Sequence, residues 1–284
     1  MDFLERSDDK NLRLLGGEPT QHPHLRDIVT TALERDFHIH LFSNLMMSKS
    51  RADFLAAVPP RRLSILANVS PQDQDTPKQK EQVAYALEKM GSMVQLGITL
   101  TSPEFEYEFL IETIDRYNLR RHIRIGIAQP IVGTANEYLA PADYRETGRR
   151  ITQMAIACFE HDILIGFDCG LTLCMFSEEE IGILGKRSEG FKSVCQPIID
   201  VGPNLDIWHC FPLSEVLNTQ LHPFKTRKQA HLFYDKVTRP YRTFGCMPQC
   251  HRCDYLRRGQ CKGGCLAHAM NALDRLPPKY IHAD

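Results

Sequence analysis

A chain of 284 residues, 43 % of them hydrophobic, is long enough for one large domain or a large and a small one. Its formal net charge of −1 gives no overall pull toward nucleic acid or an anionic membrane, so neither is an expected partner. No apolar run reaches the roughly eighteen residues that span a bilayer, and no basic start leads into an apolar segment, so the cytoplasm is the expected location. There, ten cysteines are thiols or metal ligands rather than disulfides.

Up to about residue 165 short β-type runs alternate with helical patterns. Leu12 to Leu15 is a strand that stops at Gly16, Gly17, Glu18 and Pro19, and a helix follows to Arg35. The glycine pair opens backbone conformations closed to other residues and lets a ligand approach the main chain. Phe37 to Phe42, Leu63 to Val69, Val94 to Thr101, His122 to Ala128 and Ile163 to Phe167 are the later strands. Thr76 and Pro77 serve as cap and first residue of a helix ending at Gly91. Ser102 and Pro103 predict the same start for a helix whose Phe105, Phe109 and Ile114 share a face. Strands alternating with amphipathic helices imply an α/β fold with parallel strands, either an open doubly wound sheet or a TIM-type barrel, and both collect ligands at the C-terminal strand ends. His38 and His40 alternate along one strand and so share a face, with no accompanying ligand pattern; exposed or lumen-facing histidines are expected. Cys158, on the amphipathic segment ITQMAIACFEHD, is expected in the core.

From about Cys169 the alternation gives way to sequence rich in Pro, Gly and Cys. The expected division is a partial barrel over residues 1–165 and a small Cys-rich domain over 166–284. Cys195 leads through VGPNLDIWHC to Cys210, and Cys250, Cys253, Cys261 and Cys265 form C-x2-C-x7-C-x3-C with glycines between the last pair. Four thiolates suit either a 4Fe-4S cluster or tetrahedral zinc, and spacing alone leaves the two level. Three residues separate Cys246 from Cys250, and Cys169 and Cys174 are further candidates.

GGEPT followed by His22 and Pro23, at the end of a strand, resembles the radical S-adenosylmethionine (SAM) superfamily. Ser43 and Asn44 after FHIHLF resemble the Thr-Asn-Gly that ends that family's next strand, with Leu45 in place of the glycine. Asn68 matches a polar strand-end residue facing SAM, and Gly126 to Pro130 a strand whose backbone lies against the adenine. The resemblance implies that Gly16, Gly17 and Glu18, with Pro19 fixing the turn, hold the methionyl amino group, and that Ser43, Asn68 and Gly126 line the rest of SAM. The Cys-rich part resembles the SPASM or twitch module of the same superfamily. That resemblance implies one or two auxiliary 4Fe-4S clusters on Cys195, Cys210, Cys246, Cys250, Cys253, Cys261 and Cys265. Two departures stand out: the run Cys253 to Cys261 is two residues longer than the family's, and no cysteine follows Cys265, where Cys246 is a substitute.

Cys246, Cys250 and Cys253 also have the C-x3-C-x2-C spacing of the superfamily's SAM-cluster loop, but that loop belongs upstream of GGEP. The fifteen residues before Gly16 contain no cysteine. Two expectations follow: a longer functional protein that carries the first βα unit and its cluster loop, or a degenerate member without SAM cleavage. The fold expected is therefore a partial TIM-type (β/α) barrel missing its first βα unit, followed by the auxiliary cluster domain. Its implied function is generation of a 5′-deoxyadenosyl radical for hydrogen abstraction from a substrate of peptide or protein class, supplied by an electron donor. The alternatives are a noncatalytic iron-sulfur electron-transfer or partner protein and a zinc-stabilised binding protein.

Overall fold

The computed structural model describes residues 1–69, 76–190, 195–243 and 245–283. They fall into two compact units, one of Met1–Thr99, Phe105–Ile125 and Met154–Gly166, the other of Leu100–Glu104, Gly126–Gln153 and Phe167–Asp284. After a short helix α1 (Asp2–Glu5), the chain alternates β1 (Asn11–Leu14), α2 (Leu25–Glu34), β2 (His38–Ser43), α3 (Lys49–Ala56), β3 (Leu63–Asn68), α4 (Pro77–Met90), β4 (Val94–Leu100), α5 (Glu108–Tyr117), β5 (His122–Ile127), α6 (Tyr144–Glu160) and β6 (Leu164–Phe167). The six strands form one parallel sheet in strict sequence order, from β1 at one end to β6 at the other. Register runs from Asn11 opposite His38, through Ile39 opposite Leu63, to Ile65 opposite Val94. A doubly wound sheet reverses its strand order partway. This one never does, so every right-handed crossover steps the same way, which is the winding of a (β/α) barrel.

The sheet's two faces differ. In β2, Ile39, Leu41 and Ser43 are buried while His38, His40 and Phe42 are half-buried; in β3, Leu63, Ile65 and Ala67 are buried while Ser64 and Leu66 are not. Parallel strands covered on both faces read as unbroken apolar runs, whereas here one face is apolar and the other carries polar side chains. Helix starts follow the local chemistry. The Thr76 hydroxyl accepts from the Gln79 N–H at 3.3 Å and Gln79 reaches back to the Thr76 N–H at 2.8 Å, a complete capping box before Pro77. The second expected start fails: α5 begins at Glu108, and Phe105 precedes it. The Ser102 hydroxyl donates to the Glu104 carbonyl at 3.0 Å, closing a local turn instead of capping a helix, and the face α5 buries is Leu110, Ile111 and Ile114. Cys158 is fully buried on α6, as its amphipathic segment implies.

In the second unit regular structure is sparse. Helix α7 (Glu178–Arg187) opens on a Ser177–Glu180 capping box, with acidic residues in its first turn and Lys186 and Arg187 in its last, both favourable to the helix dipole. Strands β7 (Asp200–Val201), β8 (Asp206–Trp208) and β9 (Thr219–Gln220) make a small antiparallel sheet. Helix α8 (Arg227–Thr238) buries Tyr234, whose hydroxyl donates to the Ile207 carbonyl at 2.8 Å. The short helices α9 (Asp254–Arg257) and α10 (Leu266–Asn271) follow. A core of Val132, Leu213, Val216, Leu217, Leu266 and Met270 includes Cys265 and packs against Cys195 and Cys210.

Candidate functional site

At the end of β1, Gly16 and Gly17 take φ of +90° and +55°. No atom lies within 4 Å of where a Cβ would stand on either, so backbone conformation rather than crowding calls for glycine. The next residue ties the turn to the neighbouring strand. Glu18 Oε1 accepts from the Thr20 N–H (3.0 Å), the Thr20 hydroxyl (2.6 Å) and the Ser43 hydroxyl (2.9 Å), and Oε2 accepts from the Asn44 N–H (2.7 Å). Thr20 and Ser43 are buried. Glu18 is thus a brace between the GGEP turn and the end of β2, and Oε2 is the oxygen left with room for a further donor.

Beyond Ser43 the chain keeps the backbone that a glycine would favour. Leu45 has φ +63° with its side chain wholly buried, and its N–H donates to Ser43 Oγ at 3.0 Å. A left-handed residue with a Cβ costs about 1–2 kcal/mol. Burial of a leucine side chain contributes about 1.5–3 kcal/mol, which offsets the strain.

On the next strand Asn68 is exposed and pairs with Gly97 of β4. A Cβ on Gly97 would stand 2.8 Å from Asn68 Oδ1, so this glycine makes the space the amide occupies. Gly97 was not among the expected site residues, although a lone glycine inside the strand pattern QLGITL is the usual mark of a close approach. The first unit therefore gathers Gly16 to Pro19 and Ser43 through Glu18, with Asn68 on the adjoining strand at the same C-terminal end. Gly126 lies in the second unit, on β5, just before the segment that Ala128 ties to Leu100 by an N–H to carbonyl bond of 2.9 Å.

His38 and His40 sit on the polar face with ring centroids 4.5 Å apart. The Ser64 hydroxyl lies 2.8 Å from His40 Nδ1 and 3.3 Å from His38 Nε2. Burial, then the charges of His38 and Arg13, holds His40 down at about 4, so it is neutral at pH 7. His40 and Ser64, with Arg13, Gln95 and Arg124, line a concave pocket.

Of the ten cysteines, all but Cys158 fall in the second unit, where their mutual interactions sort them. Burial pushes Cys210 well up, with Cys265, Cys195 and Cys169 adding like charge. Burial raises Cys265 too, with Cys195, Cys169 and Cys246 adding like charge. Cys246 is pushed up to about 12 by burial, then by Cys250, Cys174 and Cys261; Cys174 is raised by burial and by Cys261, Cys250 and Cys253. The influences on Cys210 and Cys265 thus come mainly from Cys169 and Cys195, and those on Cys246 and Cys174 from Cys250, Cys253 and Cys261, while Cys246 also reaches Cys265; packing brings Cys195, Cys210 and Cys265 together at one core. Among the described residues no three His, Cys, Asp or Glu side chains already stand in metal-ligand geometry around one point.

The donor chemistry fits a thiolate-bound cluster. All the groups are soft sulfur donors, and a bound cation offsets the burial and like-charge repulsion that push Cys210, Cys246 and Cys265 up. The surrounding backbone leaves them space: a Cβ on Gly264 would stand 2.8 Å from Cys246 Sγ, and one on Gly245 would collide with Cys250 Sγ. The buried Tyr144 interacts with Cys246, Cys265 and Cys174, and its hydroxyl is 3.3 Å from His268 Nε2.

No protein-family model matches the sequence, and no curated protein is similar to it. Solved structures do match. Streptococcus suis SuiB bound to S-adenosylmethionine superposes with a TM-score of 0.62 at 18 % identity, over 99 % of this chain and 68 % of that one. SuiB bound to precursor peptide SuiA gives 0.62 at 16 % identity, over 98 % of this chain and 66 % of that one. A hexahistidine-tagged anSMEcpe with bound AdoMet gives 0.61 at 14 % identity, over 95 % of this chain and 78 % of that one. At this identity the likeness shows the fold, in agreement with the radical SAM resemblance of the sequence; the chain spans about two thirds of SuiB.

Proposed function

We propose that this chain is a radical SAM-type protein whose first unit binds SAM at the strand ends and whose second unit, of SPASM or twitch type, carries two auxiliary 4Fe-4S clusters. The observation that carries the reading is the gathering of nine cysteines in one unit, with Cys195, Cys210 and Cys265 meeting at one core, on a chain whose other unit ends β1 in the GGEP turn. SAM bound to SuiB and to anSMEcpe supports the ligand, and precursor peptide SuiA bound to SuiB supports a peptide substrate class. When bound, the clusters supply one-electron chemistry, for which an electron donor is the implied partner.

The chain's own residues supply position. Gly16 and Gly17 expose main chain to the methionyl group of SAM, and Glu18 Oε2 receives its ammonium while Oε1 stays occupied by Thr20 and Ser43. Asn68, seated over Gly97, presents an amide to the ribose or carboxylate. Gly126 offers its backbone to the adenine. In the second unit, Cys169, Cys195, Cys210 and Cys265 hold one cluster. Cys250, Cys253 and Cys261 hold the other, with Cys246 as the fourth ligand.

Equilibrium binding of SAM to the anaerobically reconstituted chain tests the first half. Glu18→Ala should abolish binding without loss of iron. Unchanged affinity in that variant removes Glu18 and the GGEP turn from the site. The placement of every cysteine at or after Cys158 favours a second reading, a noncatalytic iron-sulfur partner protein. It predicts full iron content with no SAM bound by the wild-type chain.

A further inference from the structure

Beside the first thiol group the structure holds a histidine whose proton is fixed by its neighbours. His209 is wholly buried. Its Nδ1 lies 3.1 Å from Cys210 Sγ and its Nε2 3.3 Å from an Arg242 guanidinium nitrogen. A guanidinium has donors and no acceptor, so Nε2 can only accept. An imidazole whose Nε2 accepts carries its one proton on Nδ1. That N–H faces the Cys210 sulfur.

Arg242 is itself anchored. It donates from Nη1 to the Cys195 carbonyl at 2.8 Å and from Nε to Thr238 Oγ1 at 3.1 Å, and it pairs with Asp235 at 3.2 Å. One guanidinium therefore binds the backbone of one cysteine of the group and sets the tautomer of the histidine that donates to another. Such outer contacts orient the ligands they touch, and hydrogen bonds to sulfur stabilise the more negative, reduced state of a thiolate-bound cluster.

We propose that His209 is the hydrogen-bond donor that raises the reduction potential of the cluster held by Cys169, Cys195, Cys210 and Cys265, and that Arg242 is the positioning residue that fixes its tautomer. This rests on the two-cluster reading above and adds to it a difference between the clusters: one has a buried, proton-fixed donor on a ligand sulfur. The residue pattern gave no sign of it, because His209 reads as an ordinary neighbour of Cys210 and Arg242 lies thirty-three positions away.

Redox titration of the reconstituted 284-residue chain, followed by electron paramagnetic resonance, tests it. The wild type should show two midpoints. His209→Phe should move one to more negative potential and leave the other in place, with iron and sulfide content unchanged. His209→Asn, whose side-chain amide keeps an N–H near the place of Nδ1, should restore most of the shift. Arg242→Met should reproduce part of the His209→Phe shift, since the imidazole is then free to change tautomer. Two unmoved midpoints in a fully loaded His209→Phe protein overturn the proposal.

If His209→Phe fails to fold, pulsed resonance on wild-type protein labelled with ¹⁵N-histidine decides. Nitrogen coupling at one reduced cluster supports the assignment, and its absence at both overturns it. Failure of the two-cluster reading is seen separately, as a wild-type chain that takes up no iron and sulfide, and it overturns the proposal as well.

Discussion

The two units reach order by different means. In the first, regular strands and capped helices bury apolar residues on one sheet face and leave polar groups at the strand ends, so the binding surface is built by secondary structure that stands without a ligand. In the second, strands of two or three residues surround a core that contains Cys265 and touches Cys195 and Cys210. Burial raises all three sulfurs, and neighbouring cysteines add to it at Cys210 and Cys265, so a metal must displace protons from thiols that are otherwise only a small part of a core. On the proposed reading, metal loading and SAM binding are therefore separable.

The sharpest separation comes from changing Cys250 and Cys253 together to Ala. Each cluster needs thiolates that water cannot replace, so iron and sulfide per chain should fall by about half, to about four of each. The far-ultraviolet signature of the barrel helices should persist. Leu45→Gly probes the other unit. Relief of left-handed strain returns about 1–2 kcal/mol, whereas emptying a buried leucine site costs about 2–5 kcal/mol. The variant should therefore be less stable in denaturant titration, with iron content unchanged.

Glu18→Gln should cost about 1–3 kcal/mol, because hydrogen bonds to a charged acceptor are among the stronger ones, and it should weaken SAM binding. Gly97→Ala pushes against Asn68 Oδ1 and should weaken SAM by roughly tenfold, about 1.4 kcal/mol, with little change in stability. The smallest effect is expected at Gly182, inside α7 with open space around it. There an alanine should stabilise the protein by about 0.5–1 kcal/mol, measured as a higher melting temperature.

The strands of the first unit were legible because each apolar run stops at a glycine or polar residue: Gly16 to Glu18 after β1, Ser43 closing β2, Asn68 closing β3. The start of α5 was misread because Ser102 and Pro103 look like a cap and first helical residue, while the Ser102 hydroxyl is spent on the Glu104 carbonyl. The role of Glu18 as a brace was hidden, since its partners Ser43 and Asn44 lie about twenty-five residues on and their contact depends on parallel pairing of β1 with β2. In the second unit the C-x2-C-x7-C-x3-C spacing marked the candidate ligands but not how they pack. Cys265 groups with Cys195 and Cys210 rather than with its sequence neighbour Cys261, because it packs into the core that those two border. His209, Arg242 and Tyr144 went unseen for the same reason: their meaning lies in distances between segments far apart in the chain.

The division of labour between the units is tested most directly by metal analysis of the full chain after anaerobic reconstitution with iron and sulfide. Two clusters in the second unit predict about eight iron and eight sulfide per chain, a brown protein, and two distinguishable signals on stepwise reduction. Stoichiometric zinc without sulfide, retained through the same treatment, would contradict that account and leave the second unit a zinc-stabilised binding module.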